Sequence, residues 1–555
     1  MDFTTSLIKD SRLMVSDKIN YGVIKGGETI THQKQNAVSD STTSLVYNVQ
    51  VPSLQTVIDR RVIFGSDFVL KITAAPTAQQ GKLVNLGSTD ALAPFPLQQM
   101  LSTMTATLNS SSISVNVPDV MPALLKLHDG RSLAKYNSMC PTMPDNYFDY
   151  SSASVQGANN CPLASYTNAG YDNSFQPNGA WQPVATALTL AALADGVFID
   201  APTGTGVSQD FFIKYHSDEP LLFLSPFTYA TESNTQGIYG IQNMNFQFQF
   251  GNIQRVWRSG SPFAKTVSLA AVSSSYLNFV FINGHPSDLL PSKNVVPYIE
   301  YPRYISTQQG GCAAKTARPF NTQSLSLNVV PDKLVVFARR SGDSAKTVPD
   351  RFLPITDLSI NFNNSSGILS SATQQSLFQI SAENGLAVSY QEFRGYAGGA
   401  PNATGITTTV PLCGAPVVLV MGKDVQLVQD YISAGAIGNF NLQIRGNMYN
   451  QGEVILDTEA IELVIIAINS GIIVVEQGVS SVYTGILTKE DVLKASEDPE
   501  AVGWSAHVRM TGAGLLDQIK TIAKKGALKL VEGSKLGDVA KMALGKGKKM
   551  ANRLM

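Results

Sequence analysis

The sequence predicts an all-β protein made of two tandem sandwiches, and three observations carry that expectation. Alternation of apolar and polar residues with period 2 dominates residues 40–480. Helical periodicity is sparse before the last forty or so positions. Five short patterns recur in the same order in the two halves of the 555-residue chain. Length alone allows roughly three or four average domains, or two large β domains of about 200–250 residues each, and 44% hydrophobic content is ample for packed cores.

The strands are the clearest elements. Ser44-Leu-Val-Tyr-Asn-Val-Gln-Val51 and Thr103-Met-Thr-Ala-Thr-Leu-Asn109 alternate, and Asn243-Met-Asn-Phe-Gln-Phe-Gln-Phe250 places Met244, Phe246, Phe248 and Phe250 on one face. A further strand is expected at Glu28–His32. Pro220-Leu-Leu-Phe-Leu224 and Pro416-Val-Val-Leu-Val-Met421 are continuously apolar, as strands buried on both faces are. Leu463 to Val475 is apolar but broken by Asn469-Ser470-Gly471; a membrane span needs ~20 residues, so two core strands around a turn are expected. Val120–Leu127 and Gln374–Ile380 each suit about two turns of helix.

The repeat is specific in its spacing. Val57-Ile-Asp-Arg-Arg-Val-Ile-Phe64 and Val330-Pro-Asp-Lys-Leu-Val-Val-Phe337 each place an Asp five residues before a Phe. Phe95-Pro-Leu leads through Thr105–Ile113 to His128-Asp-Gly130, and Phe352-Leu-Pro leads through Ser359–Ile368 to Glu383-Asn-Gly385; the Phe-to-Gly spacings are 35 and 33. Each half ends on an apolar strand closing in Ile-Asn, at Tyr276–Asn283 and Glu462–Asn469. The first copy carries a longer loop at Thr73–Pro94. It also carries an insertion, 139–208, dense in Asn, Gly, Pro, Tyr and Ser, with Tyr147, Phe148, Tyr150, Tyr166, Tyr171 and Trp181 as expected anchors of an exposed tower.

Charge is partitioned unevenly. The chain has 41 basic and 42 acidic groups. Residues 511–555 hold ten basic groups (Lys520, Lys524, Lys525, Lys529, Lys535, Lys541, Lys546, Lys548, Lys549 and Arg553) against three acids, a net of +7. The remaining 31 basic and 39 acidic groups give −8 on residues 1–510. Leu515, Ile519 and Ile522 recur with helical spacing in this tail, but five glycines from Gly526 to Gly547 interrupt it, so it is expected to be mostly helical or flexible. Its lysines suit phosphates of nucleic acid or an anionic lipid surface.

Catalytic signatures are missing. The five histidines are never closer than 69 residues, and no Walker A loop, GxSxG elbow or CxxC occurs. Neither a metal site nor a cofactor is expected. His128-Asp129 reads as a helix-end pair, and Arg60-Arg61, Arg255-Val-Trp257-Arg258 and Arg339-Arg340 read as strand-end or interface salt bridges. Four cysteines at 140, 161, 312 and 413, with no secretory signal in the opening residues, suggest reduced, buried thiols.

Several stretches resemble the double-jelly-roll major capsid proteins of polinton-like viruses and virophages, in the adenovirus-like double-stranded DNA virus lineage. They are Pro52-Ser-Leu-Gln-Thr-Val-Ile-Asp-Arg60, Phe95-Pro-Leu, Asp145-Asn-Tyr147 with Gly157-Ala-Asn-Asn160, and Ile241-Gln-Asn-Met-Asn-Phe with Arg255-Val-Trp257, spread over residues 20–480. The resemblance implies two tandem jelly rolls, at 40–285 (with the 139–208 insertion) and 286–485, after an N-terminal arm, 1–39, and before a C-terminal extension, 486–555, whose basic tail is 514–555. It implies a non-enzymatic shell subunit of the virion, assembled inside the host cell as pseudo-hexagonal homotrimers in an icosahedral capsid. Implied partners are its own copies, penton and minor capsid proteins, viral DNA or membrane through the tail, and an adenovirus-like maturation protease. That protease cleaves after patterns such as Met510-Thr-Gly512-Ala513 and before Gly514, at the charge boundary. Ile24-Lys-Gly-Gly27 fits a sister pattern but also reads as a turn. The alternative from another class is a secreted or cell-surface β-sandwich adhesin or lectin, against which the missing signal and the basic tail count.

Overall fold

The structure is a computed structural model. It describes residues 29–75, 90–128, 185–187, 209–227, 237–259, 264–283, 292–341, 352–401, 407–427, 433–450 and 460–488, apart from 94, 314, 412, 477 and 486. All of them belong to one unit of the chain, 9–493.

The first sandwich faces two antiparallel sheets. One runs β1 (Thr29–Asn36), β13 (Ala264–Asn283), β5 (Ile63–Ala75), β10 (Gln209–Pro220), β9 (Ala185–Ala187), with β4 (Val57–Ile58) also on β13. The other runs β2 (Ser39–Asp40), β3 (Ser44–Gln50), β11 (Asn243–Phe250), β7 (Leu101–Leu108), β8 (Ser111–Asn116). β6 (Asp90–Leu92) and β12 (Trp257–Ser259) form a separate two-stranded ribbon.

The second sandwich repeats the plan. Its first sheet runs β14 (Lys293–Glu300), β25 (Ile461–Glu476), β18 (Lys333–Arg340), β23 (Val417–Val420), with β15 (Arg303–Gln308) and β26 (Val479–Thr484) also on β25. Its second sheet runs β16 (Ala317–Asn321), β24 (Ala436–Tyr449), β19 (Ile355–Phe362), β20 (Ser365–Ile368), with β17 (Leu325–Val329) and β27 (Leu487–Thr488) on β24. β21 (Tyr396–Pro401) and β22 (Thr407–Pro411) form a separate hairpin. Helices are few: α1 (Pro96–Gln99), α2 (Val117–Leu125), α3 (Gln374–Glu383) and α4 (Tyr390–Arg394).

The duplicated sequence patterns do the same work in both copies. The Asp59 amide donates to Val280 O and the Asp332 amide to Ile468 O, each at 2.9 Å, tying the start of β5 and β18 to the last long strand of each sandwich. Phe64, Phe95, Phe337 and Phe352 are all buried. Asn109 and Asn363 both take a left-handed φ of 49°, turning the β7–β8 and β19–β20 hairpins. Asn tolerates that region because its short side chain bonds locally. Asn109 Oδ1 accepts from the Gln242 amide (2.9 Å), and Asn363 Oδ1 from the Asn441 amide (2.9 Å).

Alternation fixes the cores. Met244, Phe246 and Phe248 are buried, while Phe250 at the strand end is half-buried. Phe248 meets Phe64 of the facing sheet edge-on at 5.2 Å, and Phe246 lies 5.7 Å from Phe279. Each such side chain contributes about 2–3 kcal/mol by burial, with roughly 0.5–1.5 kcal/mol more per aromatic pair.

Two sequence expectations are corrected. Leu221–Leu224 is buried but forms no strand: β10 ends at Pro220 and the chain turns through 221–227. Leu463–Val475 is not two strands around a turn but part of one 16-residue strand, β25. Instead of reversing, β25 changes partners near Ser470, from β15 and β18 to β14 and β26. Gly471 is needed because a Cβ there would lie 2.2 Å from the Tyr483 carbonyl oxygen. Strands at Ser44–Gln50, Leu101–Leu108 and Val417–Val420, and helices α2 and α3, form where the patterns place them.

Candidate functional site

The buried charges and the chain ends that bear on function lie where the two sandwiches meet and where the described chain emerges. Helix α2 of the first sandwich is central. Pro118 sits in its first turn, where a missing amide costs no helical bond, and its apolar residues are buried. That burial carries Asp119 inward, to a side-chain exposure of 3%.

Asp119 Oδ1 accepts from Arg339 Nη2 of β18 at 2.6 Å, and Asp119 also pairs with Arg303 of β15. Arg339 Nε donates to Glu462 of β25 at 3.0 Å, and Ser341 Oγ donates to the other Glu462 oxygen at 3.1 Å. Asn116, with its amide turned to suit both neighbours, donates to Asp119 (3.0 Å) and accepts from Arg303 (3.2 Å). At the other end of α2, Lys126 forms a buried ion pair with Glu392 of α4, and the Ala387 amide donates to Lys126 O at 2.9 Å. Ser389 caps α4 by accepting from the Glu392 amide (3.2 Å). Three acids thus meet three bases, so the junction is neutral, as burial of charge requires.

A third contact lies far from α2. Ser480 of β26 donates to Leu108 O, and Ser111 Oγ donates to Ser480 O at 2.6 Å. The Gly478 amide donates to Gly240 O at 3.2 Å, and Ile299 N to Ser225 Oγ at 3.0 Å.

These contacts align the two sandwiches in the same sense. At one end lie Thr29, paired with Asn283, Leu487, running parallel beside Ala436, and the Asn109 and Asn363 hairpins. At the other lie Ala75, Gln209, Ala264, Arg340, Tyr449 and Ile461, the strand ends that flank the longer insertions. The first and last described residues therefore share one end, away from the insertions.

A buried acid sits inside the first sandwich. Glu219 accepts from the Leu97 amide (2.6 Å) and the Gln98 amide (3.0 Å) at the start of α1, and from Ser217 Oγ (3.0 Å). Burial pushes its carboxyl up to about 7 despite these donors.

Of the paired basics, Arg61 pairs with Asp59 (2.5 Å), Arg339 joins the junction, and buried Arg255 donates to Gln99 O and Oε1 at 3.2 Å. His128 lies in the turn just past α2, its amide donating to Leu125 O. Cys312 and Cys413 are buried. Among the described residues no group of three His, Cys, Asp or Glu could hold a metal, and no helix is long and apolar enough to cross a membrane. The cleavage residues Met510, Gly512, Ala513 and Gly514, the basic tail from Lys520 to Arg553, Cys140, Cys161, Asp129, and all of the 139–208 insertion except Ala185–Ala187 lie outside the described residues. Sequence reasoning missed Asp119, Lys126, Arg303, Glu392 and Glu462; the available signal was a lone charge within an apolar run, as in Leu124-Leu-Lys-Leu127.

Comparison with known proteins decides the family. Residues 1–285 match the model of the Sputnik virophage major capsid protein 1st domain, and residues 301–471 that of the major capsid protein V20 C-terminal domain. The chain belongs to the Sputnik virophage major capsid protein family. A putative capsid protein V20 of Sputnik virophage is 28% identical over 539 residues, covering 93% of this chain and 86% of that one. The capsid protein in the 3.5 Å cryo-EM structure of the Sputnik virophage superposes with a TM-score of 0.71 at 25% identity, covering 89% of this chain and 96% of that one. The mavirus major capsid protein shares the fold, with a TM-score of 0.60 at 15% identity, over 90% and 99% of the two chains. The sandwiches are therefore a double jelly roll. This member of the family is a virophage major capsid protein, a structural subunit of the virion's capsid shell and not an enzyme, which sets aside the adhesin alternative.

Proposed function

We propose that three copies of this chain form a pseudo-hexagonal capsomer that tiles an icosahedral shell around double-stranded DNA. The observation that carries this reading is the side-by-side, same-sense arrangement of two sandwiches in one chain: three copies then supply six similar lobes. Its working parts are the jelly rolls at 40–285 and 286–485. The rest of the reading is the arm at 1–39, whose residues 29–36 add a strand to the first sheet, and the extension at 486–555. The end from which Thr29 and Leu487 emerge faces the enclosed genome, and the insertions face outward. Penton and minor capsid proteins complete the shell.

Cleavage between Ala513 and Gly514 by an adenovirus-like maturation protease then frees residues 514–555 inside the particle. That peptide carries the ten basic groups and engages viral DNA or a membrane. Native mass measurement of the purified chain tests the trimer, which should weigh three times 59.5 kDa. Intact mass of the chain from mature particles tests the cleavage: a chain ending at Ala513 is expected, and one ending at Met555 refutes it.

A further inference from the structure

We infer that the buried charges at the junction act as a registry key that sets the angle and register between the two jelly rolls. The inference rests on the capsomer reading above, because six even lobes require a fixed relation between the sandwiches. Asp119, Arg339, Glu462, Lys126 and Glu392 are mostly or wholly buried, and Arg303 is partly so. Buried ion pairs of this kind are weak stabilisers, since desolvation offsets their attraction, and apolar groups of similar volume often hold a protein at least as well. Each sandwich also has its own aromatic core, at Phe246, Phe248 and Phe279 in one and Phe337 and Phe352 in the other. What the charges add is direction.

Apolar contact is non-directional and permits sliding. A charged junction does not, because a shift of a few ångströms leaves buried charges unpaired. The placement suits that role. Asp119 in the first turn of α2 and Lys126 at its C-terminal cap are seven residues apart, roughly 10 Å at the helical rise, and each engages a different part of the second sandwich. The Ser480–Leu108–Ser111 contact adds a third point at the far end of the sheets. Three separated points fix both rotation and translation. Asp119, Arg339 and Lys126 are positioning residues in this sense.

Two full-length variants test the key. In the first, Asp119→Leu, Arg303→Met, Arg339→Met and Glu462→Leu replace the larger network with apolar side chains. The unfolding midpoint should hold or rise, while negative-stain images lose the even six-lobed outline and closed shells are lost. Wild-type capsomers and shells from this variant would overturn the inference, as would a collapsed midpoint, which would make the network a stabiliser. The second is a reversal: Lys126→Glu alone should abolish hexagonal capsomers, and Lys126→Glu with Glu392→Lys should restore them. A folded double reversal that fails to restore them also overturns it. If the wild-type chain itself forms no hexagonal capsomer, the capsomer reading fails. Small-angle scattering of the apolar variant then still reads the key directly: a broadened inter-lobe distance supports it and an unchanged one refutes it.

Discussion

Glu219 should make the stability of the first sandwich fall as pH rises from 5 to 8. Its carboxyl is raised from 4.5 to about 7 by burial. Below about pH 4.5 the folded and unfolded chains both hold this proton, so the group adds no pH dependence there. Between there and pH 7 the folded chain keeps a proton that the unfolded chain has released, and each pH unit costs the fold up to about 1.4 kcal/mol. Above pH 7 the full penalty, about 3 kcal/mol, is in place; the part falling between pH 5 and 8 is about 2–3 kcal/mol. Glu219→Gln removes the titration. It also turns an amide NH2 toward either the Leu97 or the Gln98 amide, at a cost of roughly 1–3 kcal/mol at every pH. Denaturant midpoints of both proteins, taken from pH 5 to 8, isolate the effect in their difference, since all other groups are shared. The variant should be clearly less stable at pH 5 and close to the wild type at pH 8. Two curves that stay parallel would refute the assignment of a raised Glu219.

Other perturbations have distinct signatures. Asn109→Ala or Asn363→Ala forces a Cβ-bearing side chain without a local partner into φ 49° and should cost about 1–2 kcal/mol, whereas the glycine variants should be milder; urea midpoints rank them. Phe246→Ala empties a site packed by Phe227 (5.3 Å) and Phe279 (5.7 Å) and should cost about 3–5 kcal/mol in the same assay. Gly471→Ala drives a methyl into the Tyr483 carbonyl and should free β26, seen as faster amide exchange over Val479–Thr484. Lys126→Met leaves the Glu392 carboxylate buried beside an apolar side chain and should cost roughly 3–5 kcal/mol in unfolding midpoint.

Strand identity was legible wherever one face is buried, as at Met244, Phe246 and Phe248, because alternation is then imposed by the core. The repeat was legible because Asn109 and Asn363 hold a left-handed φ that few residues tolerate, and because the Asp59 and Asp332 carboxylates accept from the Arg61 and Ser470 amides. Leu221–Leu224 misled because a buried loop and a doubly buried strand present the same unbroken apolar run. Asn469-Ser470-Gly471 looked like a turn because glycine marks both a reversal and a close backbone approach, and only the position of Tyr483 separates them. The short helices α1 and α4 carry too few residues for a 3.6 period to show. The junction was half legible. Arg339 reads as an interface cation, but its partner Asp119 lies 220 positions away, and nothing local in a sequence pairs residues across two domains.

The capsomer itself is open to one direct observation, electron microscopy of the purified wild-type chain in negative stain. Three-fold particles with an even, six-lobed hexagonal outline are the expected result. Monomers, or assemblies with two-fold or four-fold outlines across a range of protein concentrations, would contradict it.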